Sequence, residues 1–362
     1  MNSRVSVSFR CDGSPHIGLG HVTRCLSLAD ELQTLHGLDV GFVMRDFGLG
    51  VEMVRGAGYM VDILPENLTP SGYCDSLVSA VQDRSAGCLV LDIRDSLPES
   101  AVNRLKRSGT LVATLDDPSD RRLLADLAFY PPVPQVKLLN WSGFSGQLHV
   151  GWEWVVLRRG LQRPIFPPVH QPRRLLVTMG GSDPAGLTLK AIEAIDLLGE
   201  DFETHVVLGP GFSHNELLDE LLEGARRRFL IHRAVPDLYS LMAGADLALA
   251  SFGVTAYELA AMGIPAVYLC LSPDHAESAM ALVGAGAGVS VGCYKQVPNA
   301  RIADVVGTLL HDPPRRLAMS RQAMRCIDGQ GAARIAAILA TQSAEAGERV
   351  PSHFSPICER AH

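Results

Sequence analysis

Short, almost wholly apolar runs rich in β-branched residues alternate with helical patterns along this chain, and this alternation constrains the fold more than any other feature. In the first half the runs are RVSVSF (4–9), DVGFVM (39–44), CLVLDI (88–93) and TLVATLD (110–116). Between the first two runs, a helical period places Val22, Cys25, Ala29 and Leu32 on one face. Strands that alternate with helices form parallel sheets, and continuously apolar strands indicate that both faces of each sheet are covered.

A proline-rich stretch divides the chain into two such series. Residues 157–174, LRRGLQRPIFPPVHQPRR, show no hydrophobic period, and proline fixes backbone angles and removes hydrogen-bond donors. The later runs are RLLVTM (174–179), ETHVVLG (203–209), RFLIHR (228–233), DLALAS (246–251) and AVYLCL (266–271). We predict an α/β protein with two Rossmann-like, doubly wound domains that face each other across a cleft. The predicted boundaries are 1–156 for the first domain, 157–173 for the linker, 174–340 for the second domain and 341–362 for a polar tail.

Composition restricts the partners of the protein. Its 362 residues carry a net charge of -7, which argues against a nucleic-acid-binding surface. The most apolar stretch, 243–271, is interrupted by Asp246 and Glu258, so we expect no stable membrane insertion. The eight cysteines form no C-x-x-C pair, and the first residues lack the apolar run of a signal peptide. We therefore expect free thiols in a cytoplasmic protein, and the oligomeric state stays open.

A glycine-rich turn with a histidine, HIGLGHVTR, follows the first apolar run. It is not a dinucleotide fingerprint, because Thr23 stands where the last glycine of G-x-G-x-x-G is needed, and it lacks the Gly-Lys-Ser/Thr of a P-loop. Gly18 and Gly20 allow a close backbone approach, and His21 is placed in the first helical turn. A helix N-terminus favours the neutral imidazole, which can act as a base. A histidine that merely completes the turn is an equally good interpretation of this motif alone.

Two further glycine-containing turns follow strands of the second series. In VTMGGSDP the turn Gly180-Gly181 precedes a helix that Ser182 or Asp183 can cap, which predicts free N–H groups for a diphosphate. The alternative is an ordinary strand-to-helix turn. In SFGVTAYELAAMG (251–263) a small-residue turn precedes a helix that carries Glu258, whose carboxylate either complements the helix dipole or accepts hydrogen bonds from two ribose hydroxyls.

These stretches, in this order, resemble the family of the UDP-sugar hydrolase of pseudaminic acid biosynthesis and the related spore-coat polysaccharide biosynthesis proteins, which are similar to GT-B glycosyltransferases. The matching pieces are RCDGSPHIGLGHVTRCLSLADEL (10–32), TLDD (114–117), VLR (156–158), LLVTMGGSDP (175–184), ADLALASFGVTAYELAAMGIPAV (245–267) and DGQGAARIA (328–336). The G-x-G-H-x-x-R piece is characteristic of the hydrolase-like group, whereas the glycine-rich pieces of the second domain are shared with many GT-B enzymes.

The resemblance implies a role for each site residue. His21 would be the base that activates water against the anomeric carbon, and no metal or other cofactor is implied. The predicted substrate-binding residues are Asp12, Gly18, Gly20, Arg24 and His275. The predicted nucleotide-binding residues are Gly180, Gly181, Ser182, Gly253, Thr255 and Glu258, with Glu258 on the ribose.

Two segments depart from the family pattern. Where the family has an Asn-Gln pair that faces the donor sugar, this chain has LCLSPDHAESAMAL (269–282), with Asp274 and His275 at roughly that place. LDIRDS (91–96) also differs from the aromatic-containing segment that is usual in the family. Both changes lie where the family binds the sugar.

The expected function is hydrolysis of a nucleotide sugar, with UDP released from a UDP-linked deoxy-acetamido sugar by water attack at the anomeric carbon. One alternative is a GT-B glycosyltransferase with the same donor. The other is a hydrolysing epimerase, for which the candidate acids are Asp12, Asp92, Asp116, Asp117 and Asp274.

Overall fold

The structure is a computed structural model that describes residues 6–14, 17–161, 173–199, 201–233, 235 and 238–348. Most of the predicted linker, residues 162–172, and the end of the predicted tail, residues 349–362, lie outside the described residues.

The first domain is built on a parallel seven-stranded sheet with the strand order β3-β2-β1-β4-β5-β6-β7. Its strands are β1 (Ser6–Cys11), β2 (Asp39–Arg45), β3 (Met60–Leu64), β4 (Ala86–Asp92), β5 (Leu111–Leu115), β6 (Leu127–Tyr130) and β7 (Gln147–Val150). Its helices are α1 (Gly20–His36), α2 (Leu49–Gly56), α3 (Pro70–Asp83) and α4 (Glu99–Arg107), with 3-10 segments at Asp120–Leu124, Pro134–Leu138 and Trp152–Trp154.

The second domain is built on a parallel six-stranded sheet with the order β10-β9-β8-β11-β12-β13. Its strands are β8 (Arg173–Thr178), β9 (Phe202–Leu208), β10 (Phe229–Arg233), β11 (Leu247–Ala250), β12 (Ala266–Cys270) and β13 (Val289–Cys293). The helices that follow β8 are α5 (Leu187–Asp196), α6 (Asn215–Gly224), α7 (Leu238–Ala243), α8 (Val254–Met262), α9 (Pro273–Gly284), α10 (Asn299–Leu310), α11 (Pro313–Cys326) and α12 (Gly331–Glu348).

The predicted apolar runs all become strands, and the strands that the runs did not include are β3, β6, β7 and β13. Three of these four lie at sheet edges, where one side of the strand meets solvent. Met60 of β3 and Leu148 of β7 are exposed. In β7 the apolar residues Leu148 and Val150 alternate with polar residues. Edge strands do not need the continuous apolar sequence of a central strand, so they lack the signal that identified the others.

The last helix does not pack with the domain to which the sequence assigned it. Ala332, Ile335, Ala336 and Leu339 of α12 are buried in the core of the first domain, against helix α1 and the first sheet. The prediction that the second domain runs to residue 340 is wrong in this respect, because the apolar face of α12 covers the first sheet. The predicted polar tail is also partly structured, since α12 continues to Glu348 and buries Ser343.

The two domains meet at the loops that follow β1, β8 and β11. A Cβ atom on Gly181 would lie 3.1 Å from the side chain of Leu19, and one on Gly20 would lie 3.6 Å from Val254. In both sheets the strand order reverses beside the first strand, between β1 and β4 and between β8 and β11. Such a reversal opens a crevice at the carboxyl ends of the strands, where open α/β sheets bind ligands. The predicted arrangement of two Rossmann-like domains facing across a cleft is confirmed.

Candidate functional site

His21 and Asp92 form a close pair at the carboxyl edge of the first sheet. His21 is the second residue of α1, and Asp92 is the last residue of the neighbouring strand β4. The Nδ1 atom of His21 lies 2.6 Å from Oδ1 of Asp92. The Asp92 side chain is completely buried, whereas that of His21 is 20% exposed. The sequence considered Asp92 only as one of five candidate acids and did not connect it with His21.

Arg24 holds the same carboxylate from the next turn of α1. Its Nε atom donates to Oδ2 of Asp92 at 2.7 Å, and its terminal nitrogen donates to Oδ1 at 2.6 Å. Arg24 was predicted to bind substrate, but this two-point contact assigns its guanidinium to Asp92. Because a planar guanidinium matches a carboxylate at two points, Arg24 fixes the orientation of the carboxylate that His21 contacts.

The ionisation of Asp92 determines which nitrogen of His21 carries the proton. Burial alone would raise the pKa of Asp92, but the charge of Arg24 and the interactions with His21 outweigh it and hold the pKa well below its usual range. An ionised carboxylate can only accept hydrogen bonds, so Nδ1 of His21 donates the proton. Nε2 of the neutral ring is then an acceptor, which is the form that a general base requires.

The glycine turn before α1 has the predicted tight geometry. Ser14 and Gly18 exchange two backbone hydrogen bonds, of 3.2 and 2.9 Å, and Gly18 has a φ of 84°. That left-handed conformation favours glycine, because a Cβ atom would be strained there. The turn brings the chain to Gly20, where α1 begins, and so places His21 in the first helical turn as predicted.

Asp116 extends the charged cluster along the same edge of the sheet. Its carboxylate lies 3.7 Å from Arg24 and 2.9 Å from Arg94. Asp116 is a non-glycine residue with a φ of 52°, a conformation that its local contacts must maintain. From the second domain, Tyr257 of α8 faces this cluster, and burial followed by the charge of Asp116 raises its pKa. The motifs did not identify Arg94 or Tyr257 as site residues.

Asp12 has a different environment from the one predicted. The buried guanidinium of Arg10 donates to Oδ2 of Asp12 at 2.7 Å, and the backbone N–H of Arg45 donates to Oδ1 at 2.8 Å. Arg10 also binds Asp95 and the hydroxyl of Tyr73. Both oxygens of Asp12 therefore already have protein partners, one in β1 and one in β2.

In the second domain, the turn after β8 differs from the expected helix start. Helix α5 begins at Leu187, and the carboxylate of Asp183 accepts hydrogen bonds from the N–H groups of Leu187 and Thr188 at 2.7 and 2.8 Å. Asp183 therefore binds the start of the helix, as predicted, and its carboxylate occupies the N–H groups of Leu187 and Thr188, which were expected to be free for a diphosphate. Gly180, with a φ of 84°, Gly181 and the buried Ser182 still form the turn that faces the first domain.

Helix α8 presents its N-terminus to the cleft. Its N-cap residue is Gly253, and no side chain of the described residues caps it. The first N–H groups of an α-helix lack intrahelical acceptors, so those of Val254 and Thr255 are suited to an anion. A Cβ atom on Gly20 would lie 3.6 Å from the side chain of Val254. This helix end therefore lies beside the start of α1, where His21 is found.

Glu258 is buried on α8 and already has protein partners. Its Oε1 atom accepts hydrogen bonds from the hydroxyl of Tyr239 at 3.1 Å and from Arg158 at 3.3 Å. Arg158 lies in the predicted linker. In the sequence, only its place in the VLR piece (156–158), which matches the family pattern, pointed to this residue. These contacts hold the Oε1 side of the carboxylate in place.

His275 lies in the first turn of α9, which Ser272 caps. The hydroxyl of Ser272 accepts the N–H of His275 at 3.1 Å, and the buried Nδ1 of His275 has no hydrogen-bond partner among the described residues. Burial lowers the pKa of His275, and Arg94 of the first domain adds to this against the opposing effect of Asp274.

Within the described ranges, there is no group of three or more His, Cys, Asp and Glu side chains that could hold a metal ion. In the same residues, no helix is both long enough and apolar enough to cross a membrane.

Comparison with known sequences gives several distant relatives, and no family model matches the chain. The spore coat polysaccharide biosynthesis protein SpsG of Bacillus subtilis is 26% identical over 339 residues, which cover 92% of this chain and 97% of that protein. An uncharacterised protein of Methanocaldococcus jannaschii is 24% identical over 277 residues, and the chain spans only 55% of its length. The UDP-N-acetylglucosamine–N-acetylmuramyl-(pentapeptide) pyrophosphoryl-undecaprenol N-acetylglucosamine transferase of Acidithiobacillus ferrooxidans is 27% identical over 350 residues, with 88% of this chain and 93% of that protein covered.

Solved structures share the fold over nearly the whole chain. MurG of Acinetobacter baumannii superposes with a TM-score of 0.69 at 14% identity, covering 93% of this chain and 99% of that one. MnaA of S. aureus, solved with UDP, superposes with a TM-score of 0.67 at 14% identity, covering 97% and 100%. The protein therefore has the two-domain GT-B fold of these structures.

Proposed function

We propose that the protein transfers a glycosyl group from a UDP-sugar, and that His21 is the base that deprotonates the attacking nucleophile. The observation that carries the proposal is the pairing of His21 with the buried, ionised Asp92 at the cleft. This pairing leaves Nε2 as a proton acceptor beside the open N-terminus of α8. A positioned base next to an anion site is the arrangement that displacement of a diphosphate requires.

The second domain would hold the leaving nucleotide. The N–H groups at the start of α8, from Gly253 to Thr255, are suited to the diphosphate, and Oε2 of Glu258 is suited to a ribose hydroxyl. The turn Gly180–Ser182 would lie against the same diphosphate. The names of the relatives support this assignment, because one of them is a UDP-N-acetylglucosamine transferase and one solved neighbour is a co-structure with UDP.

The proposed step is a single displacement. The oxygen of an acceptor hydroxyl forms a bond to the anomeric carbon, the bond from that carbon to the diphosphate oxygen breaks, and UDP leaves with the electron pair. The acceptor proton goes to Nε2 of His21. One displacement inverts the anomeric configuration, which proton NMR of the fresh product measures.

Water is the second candidate nucleophile, which would make the protein a hydrolase of a UDP-linked deoxy-acetamido sugar. The motif from Gly18 to Arg24 favours it, because G-x-G-H-x-x-R is characteristic of the hydrolase-like group that the sequence resembles. The epimerase alternative has less support from the geometry. Of its five candidate acids, Asp12, Asp92, Asp116 and Asp117 all bind arginines, and Asp274 accepts a hydrogen bond from Gln135.

The test is UDP release from a panel of UDP-sugars, followed by chromatography, with and without hydroxyl acceptors. Release that depends on an acceptor supports the transferase, equally fast release in its absence supports the hydrolase, and deuterium uptake at C2 of the sugar supports the epimerase. If no UDP-sugar binds or reacts, or if His21→Gln keeps the wild-type rate, the proposal is overturned.

A further inference from the structure

Arg158 lies where the chain passes from the first domain to the second, and the residues before it are held by both cores. Residues 155–157 alternate between the two domains, with Val156 buried in the core of the first and its two neighbours buried in that of the second. The start of the Arg158 side chain is therefore fixed relative to the second domain, although the residue belongs to the segment that the sequence predicted as a linker.

The guanidinium of Arg158 takes part in a three-membered contact with Glu258 and Tyr239. Its terminal nitrogen donates to Oε1 of Glu258 at 3.3 Å, and the hydroxyl of Tyr239 donates to the same oxygen at 3.1 Å. The guanidinium carbon also lies 5.2 Å from the centre of the Tyr239 ring, within the range of a cation–π contact. Each of the three side chains thus contacts the other two.

Glu258 depends on these contacts, because its carboxylate is buried at the end of a flexible side chain. Only 3% of the side chain is exposed, so hydrogen bonds and a counter-charge have to replace the lost water. The last torsion of a glutamate side chain is broad, and a carboxylate without partners rotates about it. Two donors on Oε1 oppose this rotation, and Oε2 then keeps one direction.

We propose that Arg158 is a positioning residue of the nucleotide site, which acts through Glu258 and orients its carboxylate toward the ribose. The inference rests on the proposed function, because it concerns the contact between Glu258 and a ribose hydroxyl. Arg158 itself does not touch the nucleotide in this arrangement. Its contribution is to the discrimination between a nucleotide that has the ribose hydroxyl and one that lacks it.

Isothermal titration with UDP and 2′-deoxy-UDP tests the inference, because these nucleotides differ in a single ribose hydroxyl. Arg158→Gln should weaken the binding of UDP by about three- to tenfold, since part of a hydrogen bond to a charged group is lost, and leave the binding of 2′-deoxy-UDP nearly unchanged. Arg158→Lys should recover part of the preference for UDP, because it restores the charge but not the planar group beside Tyr239. In the Glu258→Gln background, Arg158→Gln should not reduce the preference further, because the carboxylate that it positions is absent.

Arg159→Gln is the matched control. Arg159 is the adjacent residue and is similarly exposed, at 38% compared with 48% for Arg158. Its partner lies in the other domain, where Oε1 of Glu31 on α1 is 3.1 Å from its Nε atom. Removal of this ion pair should leave the preference for UDP over 2′-deoxy-UDP at the wild-type value.

A wild-type preference for UDP in Arg158→Gln overturns the inference. An equal loss of affinity for both nucleotides also overturns it, because the effect of Arg158 would then lie outside the ribose contact. The same holds if Arg159→Gln loses the preference as well, or if the wild type binds both nucleotides equally. In all of these results the wild type still binds UDP and the proposed function stands, whereas absence of UDP binding in the wild type refutes the proposed function.

Discussion

His21 Nδ1 and Asp92 Oδ1 lie 2.6 Å apart although 71 positions separate the two residues in the chain. The adjacency of β1 and β4 creates this contact, because α1 starts after one strand and Asp92 ends the other. The pair explains how a histidine in a glycine-rich turn acquires a defined proton position. It also identifies Asp92 as the residue on which the proposed base depends.

Replacing Asp92 by asparagine should reduce kcat by about 10²–10⁴-fold, because an amide does not impose the tautomer that leaves Nε2 free. Steady-state UDP release measures the effect, and the affinity for UDP should stay unchanged. Asp39→Asn is the matched control, since Asp39 is exposed at the opposite, amino end of β2. Wild-type turnover in Asp92→Asn would remove the pair from the mechanism.

The stability difference between the wild type and Asp92→Asn should depend on pH. The pKa of Asp92 is depressed in the folded protein, compared with about 3.9 in an unfolded chain. The stabilisation is thus fully present above that unfolded value and declines as the pH falls below it. Thermal unfolding between pH 7 and pH 3 should show a constant difference down to about pH 5 and a shrinking one below about pH 4. A difference that grows toward low pH would contradict the assignment.

Replacing Arg24 by glutamine should destabilise the protein by about 3–5 kcal/mol, because it leaves the buried carboxylate of Asp92 without its main counter-charge. Arg24→Lys should recover part of this loss, since it restores the charge but not the two-point contact. Urea unfolding gives both values. Arg301→Gln, in an exposed pair with Asp304, should change stability little. A similarly small effect at Arg24 would show that Asp92 is not dependent on it.

Glu258→Gln should weaken UDP binding by about tenfold, the effect of losing one hydrogen bond to a charged group. The proposed contact is with a ribose hydroxyl, so the wild type should bind UDP more tightly than 2′-deoxy-UDP. Glu258→Gln should reduce this difference in affinity between the two nucleotides. Isothermal titration with both nucleotides measures this. Glu216→Gln, in the first turn of the exposed helix α6, is the control. Unchanged discrimination in Glu258→Gln would exclude the ribose contact.

Ile335→Ala should destabilise the first domain by about 2–5 kcal/mol, as expected for a truncated core residue. Ile335 is fully buried in the core that α12 shares with α1, so a chain shortened at residue 330 should fail to fold its first domain. Denaturant unfolding of the variant and limited proteolysis of the shortened chain measure the two effects. Thr341→Ala, on the exposed side of α12, is the control. A native first domain in the shortened chain would contradict this packing.

The central strands and the glycine turns were predictable because local chemistry determines them. Nearly continuous apolar runs identify β4 and β11, since strands covered on both faces favour apolar residues. His21 was placed correctly in the first turn of α1, because the glycine turn ends and the helical period begins at this point. The start of α5 was misplaced, because the side chain of Asp183 reaches past three residues to bind Leu187 and Thr188.

The sequence by itself determined two parallel-sheet domains, the cleft between them and the place of one histidine, His21, in the first turn of α1. Only the tertiary structure decided the partners of that histidine, the contacts of Asp12 with Arg10 and Arg45, and the packing of α12 against the first domain. The physical reason is the distance along the chain over which each kind of interaction acts. Periodicity, caps and glycine turns are encoded within a few residues, whereas ion pairs and helix docking depend on which distant strands become neighbours.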